Sequence, residues 1–194
     1  MSIALNLARV TVRYRAGSGA CLASVIALDR VDLVVACGDA VGIVGDAGAG
    51  KSTLLLCAAG LLPPDSGRVT WFERRRALEP HSDRVVYVPE VASSVSRLLR
   101  LRVLEEPRLI LLDDPLRAID GTTYAQLDRW IDRARARGHA VLVATRDQNA
   151  VQPLVSRTCL LRTGRLHPLP AATMVARTDT APARVAERAD GNFG

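Results

Sequence analysis

Lysine is almost missing from this 194-residue chain: of 26 basic side chains only Lys51 is a lysine, and the rest are arginines. Aromatic residues are few, at 4%, so Leu, Val and Ala must fill any core, and stacked nucleic-acid bases would find few rings. The four cysteines (Cys21, Cys37, Cys57 and Cys159) form no C-x-x-C pair and lie near no histidine. That pattern argues against a metal-ligand spacing or a disulfide framework and fits a reducing cytoplasm. The longest apolar stretch, LLLCAAGLLPP at 54–64, falls short of the ~18 residues a spanning helix needs. The opening MSIALNLAR has neither the basic start nor the cleavage site of an export signal. A cytoplasmic protein with no transmembrane segment of its own is therefore expected.

What is present reads as one globular domain. Apolar residues make up 48% and charged residues 24%, and a chain of this length buries roughly 70% of the surface its unfolded form exposes. The net charge is +6. Its clearest clusters are Arg74-Arg75-Arg76 and the trio Arg133, Arg135 and Arg137. The trio is spaced two apart on an expected helix, so it fans around the axis instead of forming a stripe. A solvated surface is the reading, and a nucleic-acid partner is not expected.

Periodicity gives the order of elements. Residues 3–15 and 25–35 read as antiparallel strands joined by a loop at 16–24, and AVGIV at 40–44 as a short buried strand. STLLLCAAGLL at 52–62 reads as a helix stopped by Gly60 and Pro63-Pro64. Further strands fall at 68–72, 84–88, 109–112, 140–144 and 158–162, with helices near 93–105, 121–137 and 147–155. Alternation of this kind predicts a mostly parallel α/β sheet. From Pro168 onward no apolar period persists, which predicts a domain over 1–167 and a disordered tail over 168–194.

The chemistry concentrates between the buried strand and the first helix. Gly45-Asp46-Ala47-Gly48-Ala49-Gly50-Lys51-Ser52 matches G-x-x-x-x-G-K-[ST] in the strand–loop–helix setting that motif requires, and Thr53 follows it. Glycines let backbone N–H groups turn toward phosphate oxygens, and the helix start adds its positive end. Lys51 is placed to reach β- and γ-phosphates, and Ser52 to ligate Mg²⁺. An ammonium at the one point where a broad guanidinium would not fit explains the lone lysine. Downstream, LILLDD ends a buried strand at the carboxyl edge with Asp113, a candidate Mg²⁺ ligand, and Asp114, a candidate base for water.

With these residues in place the chain resembles the ATP-binding cassette (ABC) ATPases over about residues 3–167. The resemblance implies an α/β P-loop NTPase (RecA-like) core with an antiparallel β subdomain of ABC type. It makes Tyr14 the aromatic under adenine, against the alternative of an ordinary strand-edge tyrosine. It also puts VVYVPE at 85–90 in the Q-loop place, DDPLRAID at 113–120 in Walker B and the D-loop, and VLVATRD at 141–147 in the segment that normally ends in the switch histidine. RTCLLRTGRL at 157–166 resembles the family's last hairpin.

The departures matter equally. No glycine occurs between Gly67 and Gly121, so the glycine-bearing signature motif has no place there. Only residues 91–112 separate Glu90 from Asp113, where the family carries a helical subdomain, so a shortened region near 90–107 is expected. Glu90 replaces the Q-loop glutamine, Asp114 the Walker B glutamate and Arg146 the switch histidine. A shift of about 1 Å in a catalytic group costs roughly 100-fold in rate. Arg146 accepts no proton, so it does not copy a neutral imidazole. Two readings stand for Glu90 and Arg146: they pair with each other, or both are exposed loop charges.

Three functions follow from the resemblance. The first is a Mg·ATP-binding subunit with weak or absent hydrolysis, acting with a partner. That partner would be a signature-bearing ABC subunit or a membrane permease, which puts the chain at the inner face of a membrane. The second is an active ATPase that energises a transporter, and the third is a scaffold or regulator with a vestigial P-loop.

Overall fold

The computed structural model describes residues 2–16, 23–72, 84–90, 109–117 and 119–170. Cys21, the arginines at 74–76, the expected helix at 93–105 and the tail from 171 lie outside the described residues.

Two sheets enclose one helix. Strands β1 (Ile3–Ala16), β2 (Ala23–Ala36) and β4 (Ser66–Trp71) form an antiparallel sheet in the order β2-β1-β4. The second sheet runs β5-β6-β7-β3-β8-β9, from β3 (Ala40–Val44), β5 (Val85–Val88), β6 (Leu109–Asp113), β7 (Ala140–Thr145), β8 (Arg157–Arg162) and β9 (Arg165–Pro168). Its first five strands pair in parallel and β9 turns back on β8. Apolar runs without alternation suit β3, β6 and β7, because parallel strands covered on both faces bury every side chain.

Alternate residues of those strands build two cores. Val41, Ile43, Leu109, Leu111 and Leu142 face α1 (Lys51–Ala59) and the inner face of the antiparallel sheet. Ile110, Leu112, Val141 and Val143 face the opposite way, onto Leu127, Trp130, Ile131 and Ala134 of α2 (Gly121–Ala136). Asp120 caps α2, accepting the Thr123 N–H at 2.6 Å. Helix α1 is one residue earlier at its start than its apolar run predicts, and it ends at Ala59 with Gly60 as its cap.

The expected helix at 147–155 is broken into α3 (Gln148–Val151) and a 3₁₀ turn over Gln152–Leu154. Pro153 has no N–H for an α-helical bond and favours the tighter turn. Strand β9 runs to Pro168, and the Leu169 N–H bonds to the Thr158 carbonyl at 3.0 Å. No helix among the described residues is long and apolar enough to cross a membrane.

Candidate functional site

Sheet order assembles the site. Strand β7 lies between β3 and β6, so the ends of all three meet at one carboxyl edge, and β5 adds its end beyond β6. The Gly45 N–H donates to the Thr145 carbonyl at 3.3 Å, tying the first residue of the Gly-rich loop to the end of β7.

Within that loop Gly45 and Gly50 answer first to protein backbone. A Cβ on Gly45 would lie 2.3 Å from the Leu161 carbonyl oxygen. One on Gly50, whose φ is 103°, would lie 2.3 Å from that of Ala27. Both sheets therefore press on the loop and fix its path before any ligand arrives. Lys51 is buried and donates to the Gly45 and Asp46 carbonyls at 2.7 and 2.9 Å. Desolvation lowers its pKa; the carboxylates of Asp114, Asp113 and Asp46 oppose that shift and the Arg146 charge adds to it. Ser52 is exposed at the helix start, while Thr53 is buried and its Oγ1 lies 3.2 Å from the Tyr14 hydroxyl. Tyr14, 43% exposed, thus stands over the first turn of α1 with its ring open to solvent.

Asp113 and Asp114 part company. Asp113 is buried and its Oδ2 accepts the Tyr87 hydroxyl at 3.1 Å. Burial, then the Asp113 charge, pushes that phenol up to about 12, so it stays a donor. Asp114 has a left-handed backbone, φ 42°, with its N–H on the Ala144 carbonyl at 2.8 Å. Its Oδ1 accepts the Thr145 hydroxyl at 3.0 Å, and its Oδ2 lies 3.9 Å from Arg146 Nε. A cleft of about 240 Å³ opens beside them, lined by Asp114, Leu116, Arg117, Thr145, Arg146 and Asp147.

Of the two readings for Glu90 and Arg146, their pairing with each other is corrected, and both side chains are partly exposed, at 38% and 54%, each with another partner. Glu90 accepts instead from Arg117, and Arg146 faces Asp114. The cause is strand order: β6 separates the end of β5 from the end of β7, so each charge meets a β6-side partner first. Sequence reasoning also missed Tyr87, Arg117 and Thr145. Tyr87 had a signal, since its register partner Leu111 lies two residues before Asp113 on the same face of β6, but only once β5 and β6 are known neighbours.

The donors suit a hard cation. Among the described residues no three His, Cys, Asp or Glu side chains gather as a metal cage. Mg²⁺ asks for less: a hydroxyl and a carboxylate suffice when phosphates and waters complete its octahedron. The exposed Ser52 hydroxyl and the Asp113 oxygen not taken by Tyr87 have that character.

The ABC transporter family profile matches residues 28–102. A probable sulfate/thiosulfate import ATP-binding protein CysA from Chlorella vulgaris is 30% identical, with 72% of this chain and 83% of the relative covered. The alignment runs over 199 residues, more than this whole chain holds, yet takes in 72% of it. The relative therefore carries residues, between the aligned ends, with no counterpart here. An aliphatic sulfonates import ATP-binding protein SsuB from Pseudomonas putida is 29% identical over 72% of this chain and 68% of its own length. The CysA of Mycolicibacterium paratuberculosis is 27% identical, and this chain spans 57% of it. Among solved structures, an ATP-binding subunit of an ABC transporter superposes with a TM-score of 0.66 at 20% identity, covering 86% of this chain and 90% of that one. A nucleotide-free ATP-binding cassette gives 0.64 at 16% identity over 86% and 90%. The fold, the cradle and the relatives agree, and the chain belongs to the ABC transporter ATP-binding family.

Proposed function

We propose that this chain binds Mg·ATP in the loop from Gly45 to Ser52 and serves as the nucleotide-dependent partner of another transport subunit, with weak or absent hydrolysis of its own. The observation that carries the reading is the cradle: a buried Lys51 held on loop carbonyls at a helix start, beside the carboxylate of Asp113 at the next strand end but one. Arriving phosphates would draw the ammonium off those carbonyls and oppose the desolvation that lowers its pKa. Ser52 and Asp113 would hold Mg²⁺, which screens phosphate charge, and Tyr14 would lie under the base.

Three features favour weak turnover. Arg146 carries a fixed charge where the family has histidine, Asp114 is one methylene shorter than glutamate, and the sequence has no signature glycines between Gly67 and Gly121. The partner fitting this chain is a signature-bearing ABC subunit or a permease, which would bring it to the inner face of a membrane. A domain over 1–167 with a shortened region near 90–107 is part of the same proposal. The names of the sulfate and sulfonate import relatives favour a second reading, an energising ATPase subunit of an importer.

Thermal unfolding with and without Mg·ATP, beside phosphate release, tests both. Ligand at ~100 times its dissociation constant stabilises the native state by roughly 2.7 kcal/mol, and Lys51→Ala should remove that gain. Stabilisation without phosphate release is the expected result. Release lost in Lys51→Ala would establish the energising subunit instead, and no stabilisation at millimolar ATP would make the loop a structural relic.

A further inference from the structure

We propose that Tyr87 is a positioning residue for Mg²⁺: its hydroxyl fixes the rotation of the Asp113 carboxylate and so sets how far the metal strengthens nucleotide binding. This rests on the nucleotide-binding reading above.

Sheet register sets the geometry. Asp113 pairs with Ala144 of β7, and Ala144 pairs with Ile43 of β3, two residues before Gly45. The carboxylate therefore belongs to the row of side chains just below the Gly-rich loop. Its neighbours in that row, Ala144 and Ile43, are fully buried and apolar, and they offer it no side-chain donor. Tyr87 reaches it from the other flank. Among the described residues the Tyr87 hydroxyl, at 3.1 Å from Oδ2, is the one hydrogen-bond donor to a carboxylate that is itself only 6% exposed. Tyr87 stands level with Leu111, two residues short of Asp113 and on the same face of the sheet. That step is about 6.6 Å along a strand, a gap that a phenol with its hydroxyl spans and a serine or threonine does not.

The bond matters because of what an aspartate leaves undecided. Its terminal torsion is broad and two-fold, so on a fixed backbone the plane of the carboxylate is settled by its hydrogen bonds. Mg²⁺ demands near-ideal octahedral geometry, and donors behind a ligand commonly orient it for the metal. Holding Oδ2 on Tyr87 leaves Oδ1 for the cation. The type of donor fits as well. A phenol is neutral, so Asp113 keeps its whole negative charge for Mg²⁺, whereas an arginine or lysine in the same place would compete with the metal for it.

The test is equilibrium binding of a β,γ-imido ATP analogue to the full chain and its variants, once in saturating Mg²⁺ and once in EDTA. The quantity read is the ratio of the two affinities, which should favour Mg²⁺ in the unaltered chain. Tyr87→Phe keeps the ring and removes only the hydroxyl. It should lower the ratio about tenfold while the affinity in EDTA changes less than about twofold. In an Asp113→Asn background the same substitution should leave the ratio where Asp113→Asn alone puts it. A ratio in Tyr87→Phe within about twofold of the unaltered chain's overturns the inference. So does an equal loss of affinity in both media, which is what a purely structural hydroxyl predicts, or a further fall in the Asp113→Asn background. Binding by the unaltered chain that Mg²⁺ does not tighten removes the role of Tyr87 and of the metal but leaves ATP binding in the loop standing. Failure of the unaltered chain to bind in either medium removes the nucleotide-binding reading and this one with it.

Discussion

Gly50 answers two demands at once. Its φ of 103° lies where side chains are strained, and the Ala27 carbonyl occupies the space a Cβ would need. Gly50→Ala should therefore lower stability in the absence of nucleotide by at least about 1–3 kcal/mol, measured by urea unfolding. An effect confined to nucleotide affinity would mean the glycine serves only the ligand. Cys57 tests burial through its proton. Desolvation, helped by the Asp65 charge, raises its pKa from the ordinary 9.0 to about 11. Between those values the folded chain holds a proton that the unfolded chain has lost. The contribution to stability is thus full below pH 9 and is lost as the pH rises through 11. The neutral, buried thiol should also resist alkylation at pH 8, while half-buried Cys37 reacts before it, as peptide mass spectrometry would record. Early modification of Cys57 would show that α1 opens locally.

Helix α1 carries the argument at the scale of elements. Its buried residues, Leu54, Leu55, Cys57 and Ala58, point to more than one side because a sheet lies on each flank. Leu54→Ala and Leu55→Ala, both at fully buried positions, should each cost about 2–5 kcal/mol in urea unfolding, and Leu56→Ala, at a partly exposed one, clearly less. Equal costs at all three would contradict the sandwiched placement. The same burial explains what the sequence made legible. Strands β3, β6 and β7 announce themselves as apolar runs because the sheet is covered on both faces, and the loop motif marks the cradle because its glycines have no substitutes. Strand order stayed hidden, since each run is equally apolar and none names its neighbour. The partners of Glu90 and Arg146 depend on that order alone. Pro153 was visible, but whether it ends a helix or only tightens the last turn depends on packing of Val151 and Leu154 into the core.

For the molecule as a whole the question is whether copies of the chain can complete one another. The antiparallel sheet exposes β2 along one edge, 14 residues long, with Val25, Ile26 and Val34 exposed. A flat apolar edge of that length would invite pairing between copies. This one is blunted by Asp29, Arg30 and Asp32, and its register with β1 is broken beside Arg9 and Arg30, both left-handed. Its lower end is also covered: Arg165 holds Asp29 at 2.8 Å, and Arg157 spans from Asp39 to the Val34 carbonyl. The nucleotide edge offers no better route to self-association. A family sandwich places the signature of one subunit on the phosphates of the other, and the glycine-free interval from 68 to 120 gives this chain no such motif to lend. Two copies would face each other with two incomplete sites, so ATP would gain no contact by joining them. The chain should therefore sediment as a monomer at micromolar concentration both with and without Mg·ATP. A nucleotide-driven shift to a dimer would show that another segment closes the site, and it would return hydrolysis by the isolated chain to consideration.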